Sequence, residues 1–446
     1  MAGLRPEEAE YNPLSAEARV DPERQWGALR RTQAVHHYVM PAHEIINMSS
    51  NVFAAEPTTE FWTVLRLEQV EEVLGNPQMF LSCQGPGVDR MAPDPNGGVL
   101  IFADGKQHRR HRQMAAKAFT QRAVERLLPQ IQQSVDDLID AQAPRGRMEL
   151  MQAIGVPLAM DTILKIMGLS TAMADDFHRW GGAITNGLGG EQEAIESGGR
   201  ALAELFAYLQ PLIDAIRSRA SYADERLDTG VLAALVRTEH EGSQLTDYEV
   251  CQIAMQIVVA GYETTSTALL NGVQALCTHP AQRELFINAD SEGIALAIEE
   301  ILRFVGPQAG LFRTALADTE IGGCPIPKDG KVRVAFASAN RDETVYQDAS
   351  EFRIDRSPAE VRRHVAFGRG PHVCIGAALA RAELRIALAT LFRRLPDIDL
   401  DPEGRAVRNN SRLTITGFQA LDVRWSPDLV QDRLARGRNS LTKSGE

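Results

Sequence analysis

Phe367-Gly-Arg-Gly-Pro-His-Val-Cys374-Ile-Gly376 runs without a break into Ala377-Ala-Leu-Ala-Arg-Ala-Glu-Leu-Arg385, an alanine- and leucine-rich stretch with helical period. Gly368 and Gly370 let the chain turn where side chains would obstruct it, and Gly376 removes bulk beside the sulfur. Cys374 then lies at a helix start, where unpaired backbone N–H groups and the helix dipole favour a thiolate. Such a thiolate, rigid and shielded from water, suits a soft anionic ligand to iron. It also suits a nucleophile, although no His-Asn or His-Asp partnership is evident for one. His372 could suggest zinc, but third and fourth ligands are missing. The plainest alternative is a packed thiol, the usual state of a lone cysteine.

Working outward, the other four cysteines, Cys83, Cys251, Cys277 and Cys324, form no C-x-x-C pair and no even framework, which excludes a disulfide scaffold. The chain has 446 residues, 44% of them hydrophobic, and no long Pro-, Gly- or Ser-rich linker divides it. We expect a short tail over residues 1–20, one large domain over 21–426 and a second tail over 427–446. A net charge of −12 argues against general nucleic-acid binding. The N-terminus is polar and acidic, and the most apolar run, Ile253 to Gly261, is too short and too interrupted by Gln to span a bilayer. The chain therefore reads as soluble and cytoplasmic.

Most of the sequence has helical period. The clearest helices are expected over Arg112 to Ile139, Met148 to Met167, Gly198 to Arg219, Thr246 to Cys277, Ala295 to Val305 and Ile375 to Leu395. Strands are expected at Trp62 to Leu67, Lys331 to Ala335 and Leu413 to Trp425, where β-branched or aromatic residues alternate with polar ones. Two glycine-bearing segments, Gln84 to Gly98 and Asn186 to Gly199, read as irregular loops, either pocket covers or plain connections.

Inside the long helix from Thr246, the run Ala260-Gly-Tyr-Glu-Thr-Thr265 puts Glu and two Thr after a helix-weakening Gly, locally unfavourable choices of the kind that mark functional sites. Threonines bonded back to their own helix are the alternative. Glu300 and Arg303 share a helical face, where most such pairs are weak surface ion pairs. His108 and Arg112, four apart at a helix start, project toward one anionic group, whereas Arg109, Arg110 and His111 read as a solvated basic end.

The segment around Cys374 resembles the haem-binding signature F-x-x-G-x-H-x-C-x-G of the cytochrome P-450 family, matched at Phe367, Gly370, His372, Cys374 and Gly376. Ala260 to Thr265 resembles its central-helix motif, Glu300 to Arg303 its E-x-x-R motif with Arg356 as partner, and His108 with Arg112 its H-x-x-x-R pair. Ala339-Asn-Arg-Asp342 and the strand around Ile415 to Phe418 add further matches. The resemblance covers most of the chain, from Trp62 to Trp425. It implies a mainly α fold with small β-sheets, a single large domain enclosing haem b between the helix bearing Glu263 and the helix after Cys374.

By that resemblance Cys374 is the axial cysteinate, which donates electron density to iron and favours O–O cleavage. His108, Arg112, Arg313 and His372 meet the propionates, with Phe367, Gly376 and Ala260 also beside the cofactor. Glu263 and Thr264 relay protons. Glu300, Arg303 and Arg356 brace the haem-binding loop. Gln256, Val259, Ala260, Ala309, Gly310 and Ile415 face the substrate space above the iron, and Gln84 to Leu100 covers it. The small, apolar character of these positions favours a rigid hydrophobic substrate such as a terpenoid, steroid or aromatic compound.

The implied function is a monooxygenase acting on a C–H or C=C bond with dioxygen. Arginines over Val361 to Arg385, with Lys106 to Arg112, would steer an acidic ferredoxin or flavodoxin fed from NAD(P)H by a separate reductase, since no flavin- or nicotinamide-binding fingerprint occurs in this chain. A non-catalytic haem-thiolate sensor and a cysteine hydrolase or metal-binding protein are the alternative classes. Two departures from the family stand out. Gly105-Lys106 follows Asp104 where bacterial members commonly have two prolines, and Tyr262 stands where many carry a smaller residue or His.

Overall fold

The computed structural model describes residues 12–41, 54–56, 58–92, 94, 97–117, 119–187, 192–218, 229–240, 242–409 and 413–428. Helices dominate these residues, and the main ones are α1 (Gly105–Ala116), α2 (Gln121–Gln142), α3 (Val156–Met167), α4 (Ala174–Gly187), α5 (Gln192–Arg217), α6 (Asp247–Thr278), α7 (Ser291–Val305) and α8 (Ala377–Arg394). The longest, α6, is the axis of the fold: α3, α4, α5, α7 and α8 all pack on it. Its length follows from an apolar sequence begun by a capping box, in which Thr246 Oγ1 accepts from the Glu249 N–H and the Glu249 carboxylate accepts from the Thr246 N–H.

Gly261, the helix weakener of the central motif, has a packing reason. A Cβ there would stand 2.3 Å from Ile163 Cδ1, so the glycine lets α3 close onto α6. Tyr262 is buried against His178 and Gly181 of α4, which assigns it to helix packing.

A five-stranded sheet flanks the helices in the order β1 (Val35–Val39), β2 (Glu60–Val64), β5 (Lys331–Val334), β4 (Leu311–Ala315), β3 (Phe80–Leu81), with β2 and β5 parallel and the other pairs antiparallel. The terminal strand β6 (Phe418–Arg424) pairs with Arg147–Glu149, Asp399–Leu400 and Ala406–Arg408. All three expected strands exist, two with trimmed bounds and the first shifted to Glu60–Val64. Trp62 to Leu67 ends early because Leu67 opens the helix Leu67–Gly75, its N–H donating to Asp342 Oδ2 at 2.8 Å.

Three expectations need correction. Arg112 to Ile139 is two helices, broken before Thr120, whose side chain accepts from the Ala123 N–H and caps α2. Met148 to Met167 begins as the strand Arg147–Glu149 and a π turn over Met151–Gly155. The supposed loop Asn186 to Gly199 lies in α4 and α5 at both ends, and its residues 188–191 lie outside the described ones. Gly187 and Gly198 there are contact points, since a Cβ on either would sit 3.3 Å from the other's Cα. Of the expected N-terminal tail, Ala16–Val20 forms a short helix with Ala18 buried, and residues 1–11 lie outside the described ones, as do 429–446.

No helix among the described residues is long and apolar enough to cross a membrane.

Candidate active site

The loop before α8 is built as its glycines suggested. Gly368 and Gly370 have φ of +68° and +70°, and a Cβ on Gly370 would meet Leu74 O at 2.4 Å. The turn is closed by the Gly368 N–H on Val365 O at 2.8 Å and the Cys374 N–H on Phe367 O at 2.9 Å. Cys374 stands two residues before Gly376, the N-cap of α8. Its side chain is exposed although protein surrounds it on most sides. Burial pushes its thiol up, while the N–H groups of Gly376 and Ala377 and the charges of Arg112 and Arg381 pull it down. Gly376 itself is not required by the sulfur: a Cβ there would lie 3.9 Å from Sγ, an ordinary contact.

Near this loop the fold gathers imidazoles and guanidinium groups from three elements. His108 on α1 stacks on His372, with ring centroids 3.8 Å apart, and His372 Nε2 lies 3.6 Å from Asp104 Oδ1. Burial, with the charges of His372 and Arg112, lowers His108 to about 4. Arg313 on β4 is only 5% exposed, and among the described residues its one hydrogen bond goes from Nη1 to Phe312 O at 2.9 Å. Burial brings its guanidinium down to about 10. Arg112 has no hydrogen bond or ion pair among the described residues, and the charge of Cys374 acts on it. A half-buried guanidinium with no ion pair beside a thiol, Arg112, and a buried one without a direct ion pair, Arg313, suit a dianionic group that also offers a metal to sulfur. The donor set fits haem: arginines and imidazoles for propionates, one thiolate for iron.

The departure after Asp104 has a backbone reason. Gly105 has φ +58°, which proline cannot adopt, and the freed turn lets the Asp104 carboxylate accept from the N–H groups of Ser82 and Cys83 at 3.0 and 2.8 Å. Hydrogen bonds from His372 and Cys83 hold Asp104 at about 2 against its burial.

On α6, Ala260 is exposed in mid-helix between half-buried neighbours, and Glu263 and Thr264 are half-buried one turn on. Thr264 Oγ1 donates to Ala260 O at 2.7 Å, and Ser266 Oγ to Tyr262 O at 2.7 Å, so the back-bonded state is the one present.

The expected substrate residues divide. Val259 is half-buried on α6, and Ile415 is buried and bridges to Gln308. Ala309 is fully buried in an apolar cluster with Trp26, Leu65 and Ala335, and the Cβ direction of Gly310 runs into Val334 O at 2.2 Å, so neither presents a side chain to open space. Gln256 has both ends of its amide engaged, Oε1 by the Ile101 N–H at 3.2 Å and Nε2 on Val99 O at 3.0 Å. Gln308 Nε2 likewise ties Gly310 O to Thr414 O.

The basic end of α1 is also not free. Arg110 pairs with Glu249 at 2.6 Å, and His111, fully buried, sits between the Leu100 N–H at 3.3 Å and Glu249 Oε1 at 2.9 Å. Together with Tyr248, whose hydroxyl donates to Asp94 Oδ2 at 2.6 Å, these groups tie Asp94 and residues 99–101 to α6. The pieces were visible as residue types, but no spacing links positions so far apart in the chain.

The brace is as expected and larger. Glu300 and Arg303 are buried with a two-pronged pair at 2.6 and 2.7 Å, Arg356 Nε joins Glu300 at 3.2 Å, and Arg303 also donates to Asn340 O and Ala349 O. Asn340 Oδ1 in turn accepts the Val365 N–H at 2.7 Å, reaching the loop that carries Cys374. Beside it, a second buried carboxylate, Glu299, escaped the sequence reading; it binds His364 and Arg381.

A sequence profile of the cytochrome P450 family matches residues 192–286 and 294–413. The chain is 33% identical over 393 residues to cytochrome P450 monooxygenase PikC of Streptomyces venezuelae, covering 86% of this chain and 88% of that one. It is also 33% identical to the steroid C26-monooxygenase of Mycolicibacterium smegmatis, over 87% of this chain and 91% of the relative. Among solved structures, CalO2 superposes with a TM-score of 0.80 at 27% identity, covering 94% of this chain and 99% of that one. CYP109E1 of Bacillus megaterium in complex with testosterone gives 0.75 at 26% identity, over 93% and 100%. Relatives this similar over this much of the sequence, on this architecture, place the chain in the cytochrome P450 family of haem-thiolate monooxygenases.

Proposed function

We propose that Cys374 is the thiolate ligand of haem b and that the chain inserts one oxygen atom of dioxygen into a rigid, hydrophobic substrate. The single observation that supports this best is Arg112, half-buried, with no hydrogen bond or ion pair among the described residues, and close enough to Cys374 for the two charges to act on each other, on the helix whose His108 stacks on His372. In this reading the Arg112 and Arg313 guanidinium groups and the His108 and His372 imidazoles would bind the propionates, Phe367 and Gly376 would border the porphyrin, and Cys374 and Ala260 would belong to its two faces. The haem supplies dioxygen activation. Glu263 takes protons from solvent and Thr264 passes them on, its hydroxyl swinging away from Ala260 O to do so.

Val259 and Ile415 provide apolar contact for the substrate. Gln256, Ala309 and Gly310 act at one remove, shaping the space through the backbone they hold or pack on. A terpenoid, steroid or aromatic substrate accords with relatives whose names include a steroid C26-monooxygenase.

Electrons come from a ferredoxin or flavodoxin served by a separate NAD(P)H-dependent reductase, in the cytoplasm. The docking face is narrower than the sequence suggested. Arg369 is paired with Glu71 at 2.7 Å and Arg381 with Glu299, so exposed Arg362 and Arg363 carry the attraction, aided by exposed Lys106 and Arg109.

The test is optical. Purified protein, reduced under carbon monoxide, should show the strongly red-shifted Soret band of thiolate ligation, and Cys374→His should abolish it. A colourless wild-type protein, or a Cys374→His variant with the band intact, overturns the assignment. Screening compounds for the low-spin to high-spin shift then identifies the substrate class.

A further inference from the structure

Glu299 lies on α7 directly before the braced Glu300, and it joins three parts of the loop that carries Cys374. Its Oε2 accepts from His364 Nε2 at 2.9 Å, and His364 Nδ1 accepts from the Ala366 N–H at 3.2 Å, which fixes which nitrogen donates to the carboxylate. Arg381 grips both oxygens, Nε on Oε1 at 2.6 Å and Nη2 on Oε2 at 2.9 Å. The same guanidinium lies over the Phe367 ring, 4.4 Å from its centroid, and Phe367 O receives the Cys374 N–H at 2.9 Å. Burial alone would raise Glu299, yet His364 and Arg381 hold it at about 2, so the carboxylate is charged at every pH the enzyme meets.

Two arginines act on the sulfur, Arg112 and Arg381. In the proposed haem site Arg112 faces a propionate that offsets its charge. Arg381, stacked on the Phe367 ring whose carbonyl holds the Cys374 N–H, is then the cation that remains, and Glu299 decides how much of its field the sulfur feels.

We propose that Glu299 is a positioning residue that sets the electron density of the Cys374 thiolate through Arg381, and hence the reduction potential of the iron. The proposal rests on the assignment of Cys374 as the ligand. A cation near the sulfur draws charge away from iron and favours the ferrous state; the carboxylate opposes this. Glu299 and Arg381 therefore pull the potential in opposite directions, although both hold the same loop.

The experiment measures the ferric–ferrous midpoint of the substrate-free holoenzyme by spectroelectrochemistry in Glu299→Gln, Arg381→Gln and Arg381→Lys. The carbon monoxide band is recorded in each, so loss of ligation by Cys374 is seen separately from a change in potential. Glu299→Gln should raise the equilibrium constant for one-electron reduction about tenfold, equivalent to about 59 mV. Arg381→Gln should lower the midpoint, and Arg381→Lys, which keeps the charge, should restore it. Shifts of the same sign in Glu299→Gln and Arg381→Gln, or no resolvable shift in either, overturn the proposal and leave a purely structural network. If Glu299→Gln fails to hold haem, the two arginine variants decide: equal midpoints for Gln and Lys refute it.

Discussion

The imidazole of His108 is stacked on that of His372 at 3.8 Å between centroids, with the planes 25° apart, so the neighbouring ring disfavours a charge on His108. Burial and that neighbour bring His108 from 6.5 to about 4. Between those values the unfolded chain binds a proton that the folded chain refuses, so stability falls as pH drops through the window. Asp104, Glu249 and Glu299, held at about 2, contribute stability that is lost only below their ordinary values of 3.8 to 4.5. Urea midpoints of the haem-free protein should therefore fall between pH 6.5 and 4.5, and His108→Asn should flatten that slope.

The latch on Asp94 and residues 99–101 depends on Gln256, which binds two backbone groups at once, and on the Tyr248–Asp94 bond. Gln256→Leu leaves Ile101 N–H and Val99 O without these partners, a loss of about 1–3 kcal/mol for each buried group. We expect faster ligand association and faster limited proteolysis near residue 100, with the global unfolding midpoint changed less than the opening rate.

Thr264→Ala removes the hydroxyl that reaches Ala260 O without disturbing a helix of this length. Electron consumption should continue while product per electron falls several-fold, the remainder appearing as peroxide, since positioned proton transfer is typically worth about 10²-fold or more. Intact coupling in a product-to-NAD(P)H assay would remove Thr264 from the relay.

Glu300→Gln leaves Arg303 and Arg356 buried beside a neutral amide. Breaking one partner out of a buried pair costs about 3–5 kcal/mol. The variant should express poorly and lose haem on mild heating, measurable as a drop in the thermal midpoint, whereas the surface pair Arg179–Asp176 can be removed with little effect.

Charge reversal at the exposed pair Arg362 and Arg363 should slow reduction by a ferredoxin, and the wild-type rate should fall steeply with salt. Reversal of Arg369, already paired with Glu71, should matter less. A stopped-flow rate indifferent to salt would place the docking face elsewhere.

What the sequence showed and what it hid follow one physical rule. Features set by neighbours in the chain were legible: the turn glycines before Cys374, the capped length of α6, the Glu300–Arg303 face, the His108–Arg112 spacing. Features set by distant contacts were not. His111 looks like a solvated basic residue until Leu100 and Glu249 close around it, and Gln256 looks like a substrate contact until Val99 and Ile101 occupy it. Gly187 and Gly198 read as loop signals because glycine weakens a helix, whereas packing of α4 on α5 outweighs that cost of about 1 kcal/mol. The Glu299 hub joins residues 299, 364 and 381, which no local periodicity relates.

Glu249 has a wider meaning than its place in a capping box. The same carboxylate that ends α6 also receives Arg110 and His111, and His111 holds the N–H of Leu100, a residue with φ +51°. Whatever loosens that carboxylate therefore uncaps the first turn of the long helix and withdraws the support of the Leu100 turn together, so the two segments share one anchor although Leu100 and Tyr248 lie far apart in the chain.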